Sequence, residues 1–388
     1  MPVHTARRMA DIQPFRVMEL LRRARELEAQ GRDIIHMEVG EPDFPTPPPM
    51  IEAATRFLAA GDVHYTGALG LPRLREAIAR FYHDRLGADV APERIIVTPG
   101  ASGALMLALA VTTDPGDEWL LPDPGYPSNR HLVRSFEGVA RALPVDAATR
   151  FQPTPAQVEA AWTARTRGLV VASPSNPTGT LLDPAELAAL RTAVLARGGT
   201  LVVDEIYQGL TYGVEASSVL RTMNDVFVVN SFSKYFGMTG WRLGWLVAPA
   251  AYVRDIEKLA QHFFIAASTP AQHAALVAFA PGTLAILESR RHEFAARRDT
   301  LLPALRELGF IVAAEPQGAF YIYADISQLA PDSAEFTHRL IEEAGVAATP
   351  GLDFGNNAPR RHLRIAYTTR RERLMEAVER IGRMVAGR

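Results

Sequence analysis

The 388-residue sequence has no cysteine and only two lysines, 39 of its 41 basic residues being arginine. Without cysteine there is no disulfide, thiolate metal site or cysteine nucleophile, and the redox compartment is left open. No apolar run reaches the roughly 20 residues that a membrane span needs. Neither charge sign dominates: the net charge is −2, with acids and bases mixed along the chain. That leaves no basic stripe for nucleic acid and no polybasic patch for a membrane. The motifs G-x-G-x-x-G, G-x-x-x-x-G-K-[ST], H-E-x-x-H and G-x-S-x-G are missing, so dinucleotide, P-loop, zincin and hydrolase readings lack their minimum residues. The ten histidines are scattered, and no metal is expected. Small-molecule chemistry becomes the default.

What is present is 48% apolar residues, enough for a substantial core and, by length, about two or three domains. The N-terminus, MPVHTARRMADIQPFRVMELLRRARELEAQG, has no apolar core ahead of a small-residue cleavage site. It reads as an amphipathic helix, which favours a cytoplasmic location. A short strand in DIIHMEVGEPDF leads to Pro45, Pro47, Pro48 and Pro49, which predict irregular structure. From residue 70 to 275, near-continuous Val/Ile/Leu runs alternate with helical segments: RIIVTPG, EWLLPDPGY, GLVVASPSNPTG, GTLVVDEIYQG, VFVVNSFSK and RLGWLVAP. Such runs predict strands buried on both faces, hence an α/β fold with a mostly parallel sheet covered by helices. Beyond residue 280 a long charged helix, strands around GAFYIYADI and RHLRIAYTT, and a final helix predict a second, α+β domain. The expected division is 1–45 for an N-terminal helix and arm joining the small domain, 46–280 for the large domain and 281–388 for the small one.

In an open parallel sheet, ligands bind outside the carboxyl ends of the strands. Here those ends carry VTPGASG, LPDPGYP, SPSNPTG, VVDEIYQG and NSFSK. Lys234 follows the strand VFVVN with no acid in the next ten residues and the nearest preceding one, Asp225, nine residues back. A lysine near a core must be partnered in space or have a lowered pKa, which turns the amine into a nucleophile; arginine has no such option. The plain alternative is a side chain that reaches solvent. Lys258, with Asp255 three residues earlier on a helix face, needs only a surface explanation.

Asp204 ends an apolar run, where a carboxylate needs a cation or several donors, and Tyr207 follows it closely. A helix cap or a structural arginine would also satisfy Asp204. PGASGAL joins a strand to a helix, so the backbone N–H groups of Gly100, Ala101 and Ser102 could hold a phosphate. Ser231, Ser233 and Arg242 surround Lys234 with groups that would neutralise the same dianion. Arg364, in HLRIAYTT, offers a bidentate partner to a carboxylate, either a ligand's or a structural one. Together these are the parts needed for pyridoxal 5′-phosphate. That cofactor takes a lysine Schiff base and an acid beside its pyridinium nitrogen, so that the ring accepts the electrons of a carbanion.

With VGEPDF at 39–44, YTGALGLPRLREAIA, NPTGTLL, DEIYQGL, SFSKYFGMTGWRLGW and LRIAY in place, essentially the whole chain resembles a class I aminotransferase of the type I pyridoxal-phosphate fold. The resemblance implies a mostly parallel seven-stranded sheet sandwiched by helices, beside a smaller α+β domain. It implies that Lys234 carries the cofactor as a Schiff base and then shuttles the substrate's Cα proton, and that Asp204 keeps the pyridine nitrogen protonated. Asn176 and Tyr207 would hydrogen-bond the ring's phenolic oxygen, and Tyr126 would stack on the ring. The phosphate would take Gly100, Ala101, Ser102, Ser231, Ser233 and Arg242. Tyr65 would reach it from the neighbouring subunit of a homodimer. Arg364 would pair with the substrate's α-carboxylate, helped by Asn176 and the backbone at Gly40, where the proline-rich segment forms a mobile cover. The implied reaction moves an amino group from an L-amino acid to a 2-oxo acid in two stages, with glutamate and 2-oxoglutarate as the common pair.

Dicarboxylate-specific members of this family use a second, distal cation, and none can be assigned here. Position 102 is a serine and FIAASTPAQ carries no charge, so a neutral or aromatic amino acid stands beside aspartate as donor. The same fold and cofactor could also run an elimination or a decarboxylation, because the shared parts stabilise any carbanion at Cα. A non-catalytic sensor of this fold usually appends a DNA-binding domain, for which a fold expected to start near residue 10 leaves no room.

Overall fold

The computed structural model describes residues 4–387. The first strand, β1 (Ile35–His36), lies outside the main sheet. The apolar runs then supply β2 (Ile95–Thr98), β3 (Glu118–Asp123), β4 (Val139–Pro144), β5 (Thr166–Ala172), β6 (Thr200–Asp204), β7 (Phe227–Ser231) and β8 (Gly244–Val247). They form one seven-stranded sheet in the order β2-β8-β7-β6-β5-β3-β4. Only β8 is reversed, antiparallel to both β2 and β7. Successive side chains of a strand point to opposite faces: in β6, Leu201 and Val203 enter one core and Val202 the other. Burial on both faces is why these runs are continuous rather than alternating, and the expected α/β architecture is borne out.

Two local features differ from expectation. The edge strand β4, VARALP, escaped notice because most of its side chains reach solvent and Arg141 interrupts the apolar pattern. Pro48 and Pro49 do not prevent regular structure; they open the helix Pro48–Ala59, since the first turn of a helix needs no N–H donor. At the N-terminus the regular helix is Arg16–Ala29, preceded by a short 3₁₀ turn at Arg7–Ala10. Residues 1–3 of the expected helix lie outside the described residues.

After the long helix Pro281–Glu307 come β9 (Tyr321–Asp325), β10 (Val346–Ala347), β11 (Thr349–Pro350) and β12 (His362–Ala366). β11, β12 and β9 make an antiparallel sheet in that order, while β10 pairs in parallel with β1. The last helix, Arg371–Ala386, packs on Pro281–Glu307. Its Arg373 and Arg380 hydrogen-bond Asp33 just ahead of β1 and lower that carboxyl to about 2. Among the described residues no helix is long and apolar enough to cross a membrane.

Candidate active site

Because β8 alone is reversed, the carboxyl ends of β2, β3, β5, β6 and β7 share one edge of the sheet. The loops there enclose a cavity of about 300 Å³. Lys234, three residues past β7, is half-buried and lines it, and its Nζ donates to the Gly40 carbonyl at 2.7 Å. Burial lowers its pKa to about 8, opposed by the charge of Glu41. Asp204, the last residue of β6, is 5% exposed and accepts from the Ile206 N–H at 3.0 Å. Burial raises its pKa to about 6, while the Ile206 N–H and the Lys234 charge hold it down. An amine that readily loses its proton and a carboxyl that lacks a close cation therefore face one space. A cationic ring nitrogen beside Asp204 would restore that carboxyl's charge.

The anion cradle is built where β2 turns into the helix Gly100–Ala110. Gly100 has φ +69°, and a Cβ there would stand 2.5 Å from Arg242 Nη2, so the guanidinium lies against the helix N-terminus. Arg242 Nη1 donates to the Thr239 carbonyl at 3.0 Å and to Ser233 Oγ at 3.5 Å. A guanidinium beside the positive end of a helix, with only neutral oxygens as partners, calls for an anion. Ala101, Ser102, Ser233 and Arg242 line the cavity. Ser231 sits behind them: its hydroxyl bonds the Leu243 carbonyl at 3.0 Å and accepts from the Ser233 N–H at 3.0 Å, which holds Ser233 in place.

Arg364, in the middle of β12, closes the far side and is 5% exposed. Its Nη1 donates to Asn176 Oδ1 at 3.0 Å and its Nη2 to the Glu38 carbonyl, while Nε has no hydrogen-bond partner. The guanidinium lies 4.4 Å from the Tyr321 ring centroid and 4.9 Å from that of Phe354. Among the described residues no carboxylate stands within 4.0 Å of it, so a structural salt bridge does not explain its burial. Asn176, with its oxygen engaged by Arg364, keeps its amide N–H groups as donors.

Tyr126, the N-cap of the helix Pro127–Ser135, lines the cavity with Phe15, their ring centroids 6.4 Å apart. Tyr207 also lines it and shares a 2.8 Å hydrogen bond with the Tyr321 hydroxyl. Tyr65, by contrast, is 81% exposed and lies outside the cavity. The segment after Gly40 is pinned by Arg297 to Asp43 at 2.8 and 3.0 Å and by Thr46 Oγ1 to the Gly237 carbonyl at 3.1 Å.

Sequence reasoning missed Tyr321, Phe354, Phe15 and Met18, all of which line the site. Tyr321 and Arg364 share a sheet face only through the register of β9 with β12, which no local pattern reveals. Phe15 and Met18 sit at the start of a helix whose amphipathic pattern was visible but whose destination was not.

These residues fit the pyridoxal phosphate expected from the sequence, as an amine, a buried acid, an anion cradle and an unpaired arginine converge. The family described as aminotransferase class I and II matches residues 32–381. The valine–pyruvate aminotransferase of Mycobacterium tuberculosis is 38% identical over 375 residues, covering 96% of each chain. The aspartate/prephenate aminotransferase of Thermus thermophilus is 38% identical over 383 residues and 98% of each chain. Among solved structures, an aminotransferase from Mycobacterium tuberculosis matches with a TM-score of 0.96 at 37% identity over the whole of both chains. The aspartate aminotransferase from Thermus thermophilus with maleate matches at 0.93 and 37% identity, over 99% of this chain and all of that one. With fold, cavity and likeness in agreement over nearly its full length, this chain belongs to the aminotransferase class I and II family and is an aminotransferase of the type I pyridoxal-phosphate fold.

Proposed function

We propose that this aminotransferase binds pyridoxal 5′-phosphate through Lys234 and moves the amino group of a neutral, apolar or aromatic L-amino acid to a 2-oxo acid such as 2-oxoglutarate, in two half-reactions. The observation that carries this reading is the state of the cavity's three cations. Among the described residues Lys234, Arg242 and Arg364 donate only to neutral oxygens, and a phosphate and an α-carboxylate would supply the negative charges that match them. When bound, the cofactor accepts the electron pair released at the substrate's Cα.

The chain's own residues do the rest. Arg364 pairs with the α-carboxylate beside the Gly40 backbone and turns the Cα–H bond toward Lys234. The Lys234 amine, with its proton affinity lowered by burial, takes that proton and returns it. Asp204 holds the proton on the ring nitrogen, while Asn176 and Tyr207 donate to the phenolic oxygen. Ala101, Ser102, Ser233 and Arg242 bind the phosphate, and Ser231 and Gly100 shape that cradle.

The donor class follows from the walls. Phe15, Met18, Leu105, Ile206 and Phe354 face the cavity, and no lining cation remains for a distal carboxylate once the phosphate and α-carboxylate are met. The relatives named for valine and pyruvate and for aspartate and prephenate span both possibilities, and this wall favours the uncharged one. A homodimer is supported by Ile51, Leu58, Val63 and Tyr65, which are all exposed within one stretch and would suit a second copy whose cradle takes Tyr65.

Borohydride treatment of the holoenzyme should add the cofactor's mass to the peptide containing Lys234, and Lys234→Ala should abolish both attachment and turnover. A screen of single amino acids without acceptor should bleach the cofactor's visible absorption with leucine, phenylalanine or valine faster than with aspartate. Faster bleaching by aspartate would reverse the donor assignment.

A further inference from the structure

Tyr321 belongs to none of the motifs that marked the site, yet it touches both of the site's binding functions. In the antiparallel pairing of β9 with β12, Arg364 stands opposite Tyr323, so Tyr321 is its diagonal neighbour on the same face. The Tyr321 ring lies under the Arg364 guanidinium, 4.4 Å from centroid to carbon, and the residue is only 1% exposed. At the other end of the ring the hydroxyl meets that of Tyr207 at 2.8 Å, with the two rings edge to face at 83°. The backbone makes room for it at Gly40, where an added Cβ would overlap the Tyr321 hydroxyl.

Each of the two hydroxyls carries one proton. Tyr207 lines the cavity where the cofactor's phenolic oxygen is proposed to sit, and it donates there only if its oxygen receives the Tyr321 proton. A donor that itself accepts a hydrogen bond is polarised and becomes a better donor. We propose that Tyr321 is a positioning residue for transamination: its hydroxyl donates to Tyr207, leaving the Tyr207 proton for the cavity, and its ring face seats Arg364 for the substrate's carboxylate. This rests on the function proposed above, in which Tyr207 faces the cofactor and Arg364 the substrate.

The two actions separate by substitution, since Tyr321→Phe removes the hydroxyl and keeps the ring while Tyr321→Leu removes both. The first measurement is a pH titration of the holoenzyme's visible absorption. A hydroxyl that donates to the phenolic oxygen stabilises its negative charge and holds down the proton affinity of the conjugated nitrogen. Tyr321→Phe should therefore move the midpoint to higher pH, in the same direction as Tyr207→Phe and by less, with the amino-acid KM within about twofold of wild type. Tyr321→Leu should in addition raise that KM by about tenfold or more, as expected when a desolvated cation–ring contact is lost. If Tyr207→Phe shifts the midpoint while Tyr321→Phe titrates as wild type, or if Tyr321→Leu leaves KM unchanged, the proposal is overturned on its own. A wild-type holoenzyme with no titrating band would overturn the cofactor reading and this proposal with it.

Discussion

At the scale of the residue, Asp204 is held in a place that opposes its charge. Its folded pKa of about 6 lies above the ordinary 3.8, so in cofactor-free protein its contribution to stability is full below pH 4 and is lost as pH rises through 6. Asp204→Asn should thus stabilise the cofactor-free protein by about 1–3 kcal/mol at pH 8 relative to pH 4, while cutting turnover by about 100-fold or more. Thermal unfolding of both proteins at the two pH values checks this. A gap that does not widen with pH would mean that the buried carboxylate is charged without penalty. Arg364 invites the complementary test. Arg364→Ala should leave the cofactor bound and raise the KM for every amino acid donor by about 100-fold, because it removes a charge-assisted pair common to all of them. Both residues were legible in the sequence as oddities, Asp204 as a charge at the end of an apolar run and Arg364 as one flanked by apolar residues, but their plain alternatives were dismissed only by distances. Among the described residues Asp204 has no cation within 4.0 Å, and Arg364 has no carboxylate within that distance.

At the scale of the element, the turn from β2 into the helix Gly100–Ala110 forms the proposed anion site largely from backbone. Gly100→Ala would force a Cβ into a backbone conformation that disfavours it and to within 2.5 Å of the Arg242 guanidinium. It should lower cofactor affinity by about tenfold or more, with the unfolding temperature of the cofactor-free protein little changed. Equilibrium dialysis against pyridoxal phosphate measures the first quantity and calorimetry the second. The strands of the sheet could be read because residues buried on two faces leave a run of apolar letters. β4 could not, since most of its side chains reach water and its letters mix. The helix Pro48–Ala59 was hidden by the prolines that start it.

At the scale of the whole molecule, the site draws on distant parts of the chain. Gly40 precedes the sheet, Asp204 ends one of its strands, Asn176 and Lys234 follow two others, and Arg364 comes from the antiparallel sheet of β9, β11 and β12. The proposed dimer would add Tyr65 from another copy, and subunit mixing tests this. Tyr65→Ala and Lys234→Ala proteins, each deficient alone, should regain up to about a quarter of wild-type activity when co-refolded, since only the mixed dimer holds one complete site. Failure to regain any activity would place Tyr65 outside the partner's site. The sequence by itself determined the class of fold and most of the site. Lysine scarcity, the continuous strand runs and the motif at each strand's carboxyl end are local features, and a parallel sheet brings such ends together whatever the details. Only the tertiary structure decided which apolar residues line the cavity, that Ser231 supports Ser233 instead of lining it, and that Tyr321 links Tyr207 to Arg364. Those outcomes depend on register between strands far apart in the chain and on which faces are covered, and contacts of that kind leave no periodicity in any single segment.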